Sequence, residues 1–324
     1  MGSKNGLPPL KKGEWPIFYL SGRFGVTGKQ EADWIKRTGC NKRCWSFAFI
    51  KPGAFYYRPE MGSAYQASCD LKCHIAMDSS AFSFQQFTRK GRVENIEKYR
   101  AKTIDQYIEF VHAESKKWDF YFNFDYRIHA PTVYKMQKFL EKHGLRPAPV
   151  FHGDDGLDWL RKYIDEGHKV IGIGAAPHIR RTWEMKRFYL DQVFELTEKA
   201  GVLCHGLAFT SMSLAFSYPW YSVDSSTWSR FAAFGQVVFV NPINQTLDHL
   251  HISERHSEKV SSYNRMPKDV QKEIRKQIES PGFDFKTLRN DLNERAVYNG
   301  WVYSHLPELG IKKGVGKTKW MRLL

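Results

Sequence analysis

The stretch "PVFHGDDGLDWLRKYIDEGHKVIGIGA", residues 149–175, passes from one apolar run to another through a helical pattern. Its ends, "PAPVFHG" (147–153) and "KVIGIGA" (169–175), are short, apolar and almost free of charge, as strands buried on both faces are. Between them "GLDWLRKYIDEG" (156–167) spaces its apolar residues for one face of a helix. A strand, an amphipathic helix and a second strand of the same kind predict parallel strands joined by a covering helix.

The unit recurs in both directions. Further apolar runs are "PIFYLSG" (16–22), "CWSFAFI" (44–50), "HIAMD" (74–78), "FYFNFDY" (120–126), "VLCHGLAF" (202–209), "WYSVD" (220–224) and "QVVFVN" (236–241). Helical patterns cover 92–118, 130–144 and 181–201, with Pro131 in a first turn and Gly144 and Gly201 where C-terminal caps fall. About eight repeats fit a (β/α)8 barrel of the TIM type better than an open doubly wound sheet. No G-x-G-x-x-G opens a helix after the first strand. The expected boundaries are a catalytic barrel over 1–241 and a basic, helical C-terminal extension over 242–324, packed on the barrel. In that extension "GVGKT" is not a phosphate loop, because the required first glycine falls on Ile311.

The chain has 324 residues, 42% hydrophobic and 15% aromatic, which excludes a disordered protein. Its 49 Lys and Arg against 34 Asp and Glu leave a formal charge of +15 and predict attraction to polyanions, nucleic acid first. No secretory signal or membrane span is evident, and Gly6 stands where a myristoylation signal needs Ser or Thr, so a cytoplasmic location is expected. For a phage-encoded protein that means the host cytoplasm. The odd count of five cysteines argues against a disulfide framework. Cys40, Cys44, Cys69 and Cys73, with His74, have a spacing loosely compatible with zinc; reduced structural thiols are the simpler reading.

In a barrel the C-terminal strand ends converge on one mouth, where active sites lie. Those ends carry Asp78, Asp125, His152 with Asp154 and Asp155, Gly172 and Gly174, His205 with Gly206, and Asp224. One such Asp is ordinarily a helix cap, but acids and histidines on five consecutive strand ends point to a site. Paired carboxylates at a barrel mouth fit glycosidic-bond chemistry, one attacking the anomeric carbon and the other moving a proton. Asp78 and Asp224 are therefore expected to face one cavity, at the retaining spacing of about 5 Å. The aromatics Phe216, Tyr218, Trp220 and Trp228 would keep water from a covalent intermediate.

These segments carry a family resemblance. "MDSSAFSFQQF" (77–87) resembles the Asp-Ser-Gly-Gly-aromatic-Gln segment of the tRNA-guanine transglycosylases, and "GLAFTSMSLAFSYPWYSVDSSTW" (206–228) resembles their late Gly-x-Gly strand, helix and nucleophilic Asp. "FNFDYRIHAPT" and "PVFHGDDGLDWLRKYI" lie where that family reads the base. The resemblance spans roughly residues 70–235 and is nearest to the DNA-modifying branch, the DpdA-like 7-deazaguanine transglycosylases of phages and bacteria. It implies exchange of guanine in DNA for a 7-deazaguanine of the preQ0 kind, with Asp224 as nucleophile and Asp78 as general acid and base. Asp125, His152, Gly172, Gly174, Ser79, Phe82, His205 and Gly206 would line the base site. No cofactor and no resident metal are implied. The partners would be DNA, single-stranded or with a base flipped from the duplex, and the free base; no membrane partner is expected. The family's Gln is His152 here, a Gly of its Gly-Gly pair is Ser80, and its Cys-x-Cys-x-x-Cys zinc site after the nucleophile is missing. The alternatives are the same exchange on tRNA, a nucleic-acid-binding barrel without catalysis, and an unrelated glycoside hydrolase.

Overall fold

The computed structural model describes residues 16–91, 94–126, 129–152, 156–174, 182–209, 211–256 and 262–311. Eight strands, β1 (Ile17–Ser21), β2 (Lys42–Ser46), β3 (His74–Asp78), β4 (Phe120–Tyr121), β5 (Val150–His152), β6 (Val170–Gly174), β7 (Leu203–Leu207) and β8 (Ser222–Ser225), form one parallel sheet. Its order is β4-β3-β2-β1-β8-β7-β6-β5, so the first strand pairs with the last. The two edges meet where Phe122 bridges Ala148, with Ala148 N–H donating to Tyr121 O and Asn123 N–H to Ala148 O. The chain is a (β/α)8 barrel.

Among the described residues ten helices follow the strands: α1 (Gly28–Thr38), α2 (Phe47–Ile50), α3 (Pro59–Asp70), α4 (Ala81–Arg89), α5 (Ile96–Glu114), α6 (Ala130–Lys142), α7 (Leu157–Asp165), α8 (Trp183–Lys199), α9 (Met212–Ser217) and α10 (Thr227–Ala233). Alternation along each strand divides the apolar residues between two cores. Tyr19, Cys44, Ala76, Phe120, Phe122 and Val150 fill the barrel, while Phe18, Leu20, Trp45, Ile75 and Val223 face the helices. Gly144 and Gly201 end α6 and α8 at φ +78° and +65°, the left-handed conformation a helix stop requires. The long pattern at 92–118 yields α5 alone, started by the Asn95 side chain, which accepts from Lys98 N–H, and followed by a 3-10 turn at Ser115–Lys117.

The run at 236–241, expected inside the barrel, lies outside it. As β9 (Gln236–Val240) it pairs antiparallel with β10 (Leu247–His251), because β1 already occupies the edge of β8. In the C-terminal extension the charged stretch "RMPKDVQKEIRKQIES" (265–280) forms α11 (Lys268–Glu279), and "FKTLRNDLNERAVYNGW" (285–301) is divided between two helices, α12 (Phe285–Asn290) and α13 (Leu292–Ser304). Asp291 divides them by capping α13, its carboxylate accepting from Asn293 and Glu294 N–H. Despite its charges α13 is mostly buried. It lies on the outer face of β1, where Tyr303 stacks on Phe18 at 4.7 Å. Gly300 is needed there, since an added Cβ would sit 2.5 Å from Phe24 Cε1. The helical extension therefore completes the helix layer beside β1; its tail, 312–324, falls outside the described residues.

One buried ion pair secures the turn after β1. Glu31 on α1 accepts from Phe24 and Gly25 N–H and from Arg43 Nη2 at 2.6 Å, and Arg43 also donates to Gly22 O. Both side chains are fully buried, with the guanidinium against Phe24 and Trp45. Removing one member leaves the other charge desolvated and unpaired. Glu31→Ala is thus expected to destabilise the fold by about 3–5 kcal/mol in urea titrations; a loss below about 1 kcal/mol would show that the turn is held otherwise.

Candidate active site

The same alternation that fills the barrel decides which side chains reach its mouth. Asp78 shares a face with Ala76, Asp224 with Ser222, His152 with Val150 and Gly174 with Gly172, all pointing inward. Asp125 follows β4 and arrives on the same rim. Asp78 and Asp224 end their strands on the same rim, and the charge of Asp224 bears on Asp78, as does that of Asp125.

Two serines stand between the catalytic candidates. Ser21, last on β1, donates to Asp224 Oδ2 at 2.5 Å, and Ser46, last on β2, donates to Asp78 Oδ2 at 2.7 Å. Each carboxylate therefore takes a hydroxyl from the neighbouring strand. Neither serine was singled out in the sequence, although both occupy the final inward position of their strands. Asp224 Oδ1 accepts from Ala208 N–H at 2.8 Å and lies 3.3 Å from His205 Nε2. Ala208 is left-handed, at φ +50°, and no side chain could have signalled its part.

Around Asp78 the chain turns sharply. Ser80 N–H donates to Asp78 Oδ2, and Ser80 Oγ meets Ser46 Oγ at 2.6 Å and Ala48 N–H at 2.8 Å. Ser80 holds φ +65°, a conformation costing an L residue about 1–2 kcal/mol. Here the hydroxyl's contacts with Ser46 and Ala48 offset that cost.

Burial raises the Asp78 carboxyl first, and the charges of Asp224 and Asp125 add to it. The Ser46 and Ser80 donors oppose them, and the carboxyl settles at about 7. A group half protonated near neutrality can both give and take a proton. Cys44 lies below both acids, and burial followed by their charges pushes its thiol well up, so it is not a thiolate nucleophile.

The remaining candidates separate. His152 Nε2 is 2.9 Å from Asp125 Oδ2, forming a second paired group on the rim. Gly174 makes room for it, since a Cβ there would lie 2.4 Å from His152 Nδ1. Gly172 faces Phe122 and Leu207 inside the barrel, a layer below the mouth. His205 is also one layer down and fully buried, so it supports Asp224 and cannot touch a ligand. Gly206 points outward against Val223 and Phe209, away from the mouth. Ser79 is buried, its hydroxyl without a partner among the described residues, and Phe82 is 63% exposed on α4. Asp154 and Asp155 lie outside the described residues.

The expected aromatic shield is not at the mouth. Phe216, Tyr218, Trp220 and Trp228 belong to the core between sheet and helices, so they do not shield the mouth. Trp228 contributes indirectly, its indole N–H donating to Ser21 O. The four thiols do not converge: Cys44 faces the barrel interior while Cys40 and Cys73 lie in the outer core. Among the described residues no group of three or more His, Cys, Asp or Glu side chains is placed to hold a metal ion.

No family model matches the chain, and no curated protein matches it. Among solved structures the fold is similar to KGPDC from Streptococcus mutans, with a TM-score of 0.34 and 12% identity, over 65% of this chain and 88% of that one. A likeness at that level says nothing of chemistry. No helix among the described residues is long and apolar enough to cross a membrane.

Proposed function

We propose that this chain is a transglycosylase that exchanges guanine in DNA for a 7-deazaguanine through a covalent Asp224–deoxyribose intermediate. The observation that carries the reading is Asp78, a carboxyl poised at about 7, on the same rim as a second carboxylate fixed by three donors. In the first step an Asp224 oxygen bonds C1′ as the C1′–N9 bond breaks, and Asp78 gives N9 its proton. In the second, ionised Asp78 takes the N9 proton of the incoming base, N9 bonds C1′, and the Asp224 carboxylate is released. Asp125, held by His152, is the acceptor for the purine's N–H edge. The +15 charge supplies attraction to the phosphate backbone. The resemblance, with its missing zinc module, favours DNA over tRNA.

The test is to incubate the protein with labelled guanine and, separately, duplex DNA, single-stranded DNA and tRNA. Label is expected in DNA. If about five phosphates are contacted, binding should fall roughly a thousandfold for a fivefold rise in salt. Equal or better labelling of tRNA would move the reading to RNA; binding without labelling would favour a non-catalytic barrel.

Gly174→Ala gives a sharper check on the base site. The added methyl must displace the His152 ring and with it the hydrogen bond to Asp125. Guanine affinity by calorimetry is expected to fall by about 1.5–3 kcal/mol, the worth of a hydrogen bond to a charged group. Unchanged affinity would remove His152 and Asp125 from base binding.

A further inference from the structure

Behind Asp224, on the side away from the mouth, His205 is fully buried among aromatic rings, with Tyr19, Phe120 and Phe122 centroids at 6.0, 5.3 and 5.0 Å. Its Nδ1 lies 2.7 Å from Ser222 Oγ and its Nε2 3.3 Å from Asp224 Oδ1. Both ring nitrogens are engaged, and Ser222 is itself fully buried. A carboxylate only accepts, so the nitrogen facing Asp224 carries the proton; a hydroxyl does either, so Ser222 donates to the bare Nδ1.

We infer that Ser222 and His205 form a positioning relay, in which Ser222 locks His205 as the Nε2–H tautomer and His205 holds Asp224 so that Oδ2 is the attacking oxygen. The tautomer stands on geometry alone; its consequence for attack rests on the transglycosylase reading. Among the described residues Oδ1 is held twice, by His205 and by the Ala208 amide, and Oδ2 once, by the Ser21 hydroxyl. When Oδ2 bonds C1′ and the C1′–N9 bond breaks, Oδ1 becomes the ester carbonyl oxygen and keeps both donors. When N9 of the incoming base displaces the ester, the electron pair returns to the same held carboxylate. His205 touches no reacting atom and is a positioning residue.

Two measurements test the relay. The first is nitrogen NMR of the full chain labelled at histidine, with the His205 signals identified by their loss in His205→Gln. A protonated Nε2 and a bare Nδ1 are expected, with a shift toward the other tautomer in Ser222→Ala. A protonated Nδ1 in the unaltered protein overturns the relay. The second is the rate of covalent protein–DNA adduct formation. His205→Phe keeps an aromatic ring in its box and removes the donor. It is expected to lower kcat by about a hundredfold, the scale of a misplaced reacting group, with little change in KM; His205→Gln, which keeps an N–H, should recover part of the loss. Equal adduct rates for the unaltered protein and His205→Phe overturn the positioning role. Absence of adduct from the unaltered protein strikes at the transglycosylase reading, and the tautomer measurement then decides the relay by itself.

Discussion

Asp224→Asn is expected to abolish base exchange, lowering the rate by at least about 10⁴-fold, because an amide does not replace a carboxylate as nucleophile. The fold should survive. An Asn oxygen can keep the Ala208 amide and His205 as donors, and its N–H can face Ser21 Oγ, which accepts as readily as it donates. Little is then left unpaired in a residue whose exposure is only 7%. The measurements are adduct formation on a denaturing gel and a thermal melt. Substantial turnover by a well-folded Asn variant would take Asp224 out of the nucleophile's role.

Asp78→Asn is expected to cost about 10²–10⁴ in rate, the usual share of a general acid and base. The pH dependence is the stronger test. With its carboxyl at about 7, Asp78 is an acid below that pH and a base above it. Departure of guanine should slow as pH rises through about 7, and entry of the new base should slow as pH falls through it. Both limbs should vanish in the variant. A profile flat across that region in the unaltered enzyme would remove Asp78 from proton transfer.

The raised carboxyl also has a consequence for stability. It moves from 3.8 when exposed to about 7 in the folded chain, so between those values the folded state keeps a proton that the unfolded state has lost. Its stabilising contribution is complete below about 4 and is lost as pH rises through about 7. At pH 8 the ionised group is a burden on the fold of no more than about 4 kcal/mol, the free energy of holding a proton across that pH interval. Asp78→Asn should therefore melt higher than the unaltered protein at pH 8, with the gap closing toward pH 4.

Much of the architecture was legible because it rests on local pattern. Runs such as "HIAMD" and "KVIGIGA" are apolar between their ends because parallel strands in a barrel are covered on both faces, and the helices between them show one apolar face. Parity along those strands also brought Asp78, His152, Gly174 and Asp224 inward, since successive side chains alternate. Where local pattern was equal, it failed. "QVVFVN" reads as well as any barrel strand, yet closure of β8 on β1 left it no edge. The aromatics after "GLAFTS" are as suited to a core as to a pocket, and the helices draw them into the core.

By itself the amino-acid sequence determined the repeat of strands and helices, the positive charge and the acids at the strand ends, because each is carried by residue type and short-range spacing. Only the tertiary structure decided that Asp78 holds its proton toward neutrality, and which oxygen of Asp224 is held and by whom. Ser21 and Asp224 are 203 residues apart, and Ser46 and Asp78 are 32 apart. The burial that lifts Asp78 to about 7 comes from the closed barrel around it. Hydrogen bonds and desolvation act over a few ångströms, and the strand register that sets those distances arises only when the sheet closes.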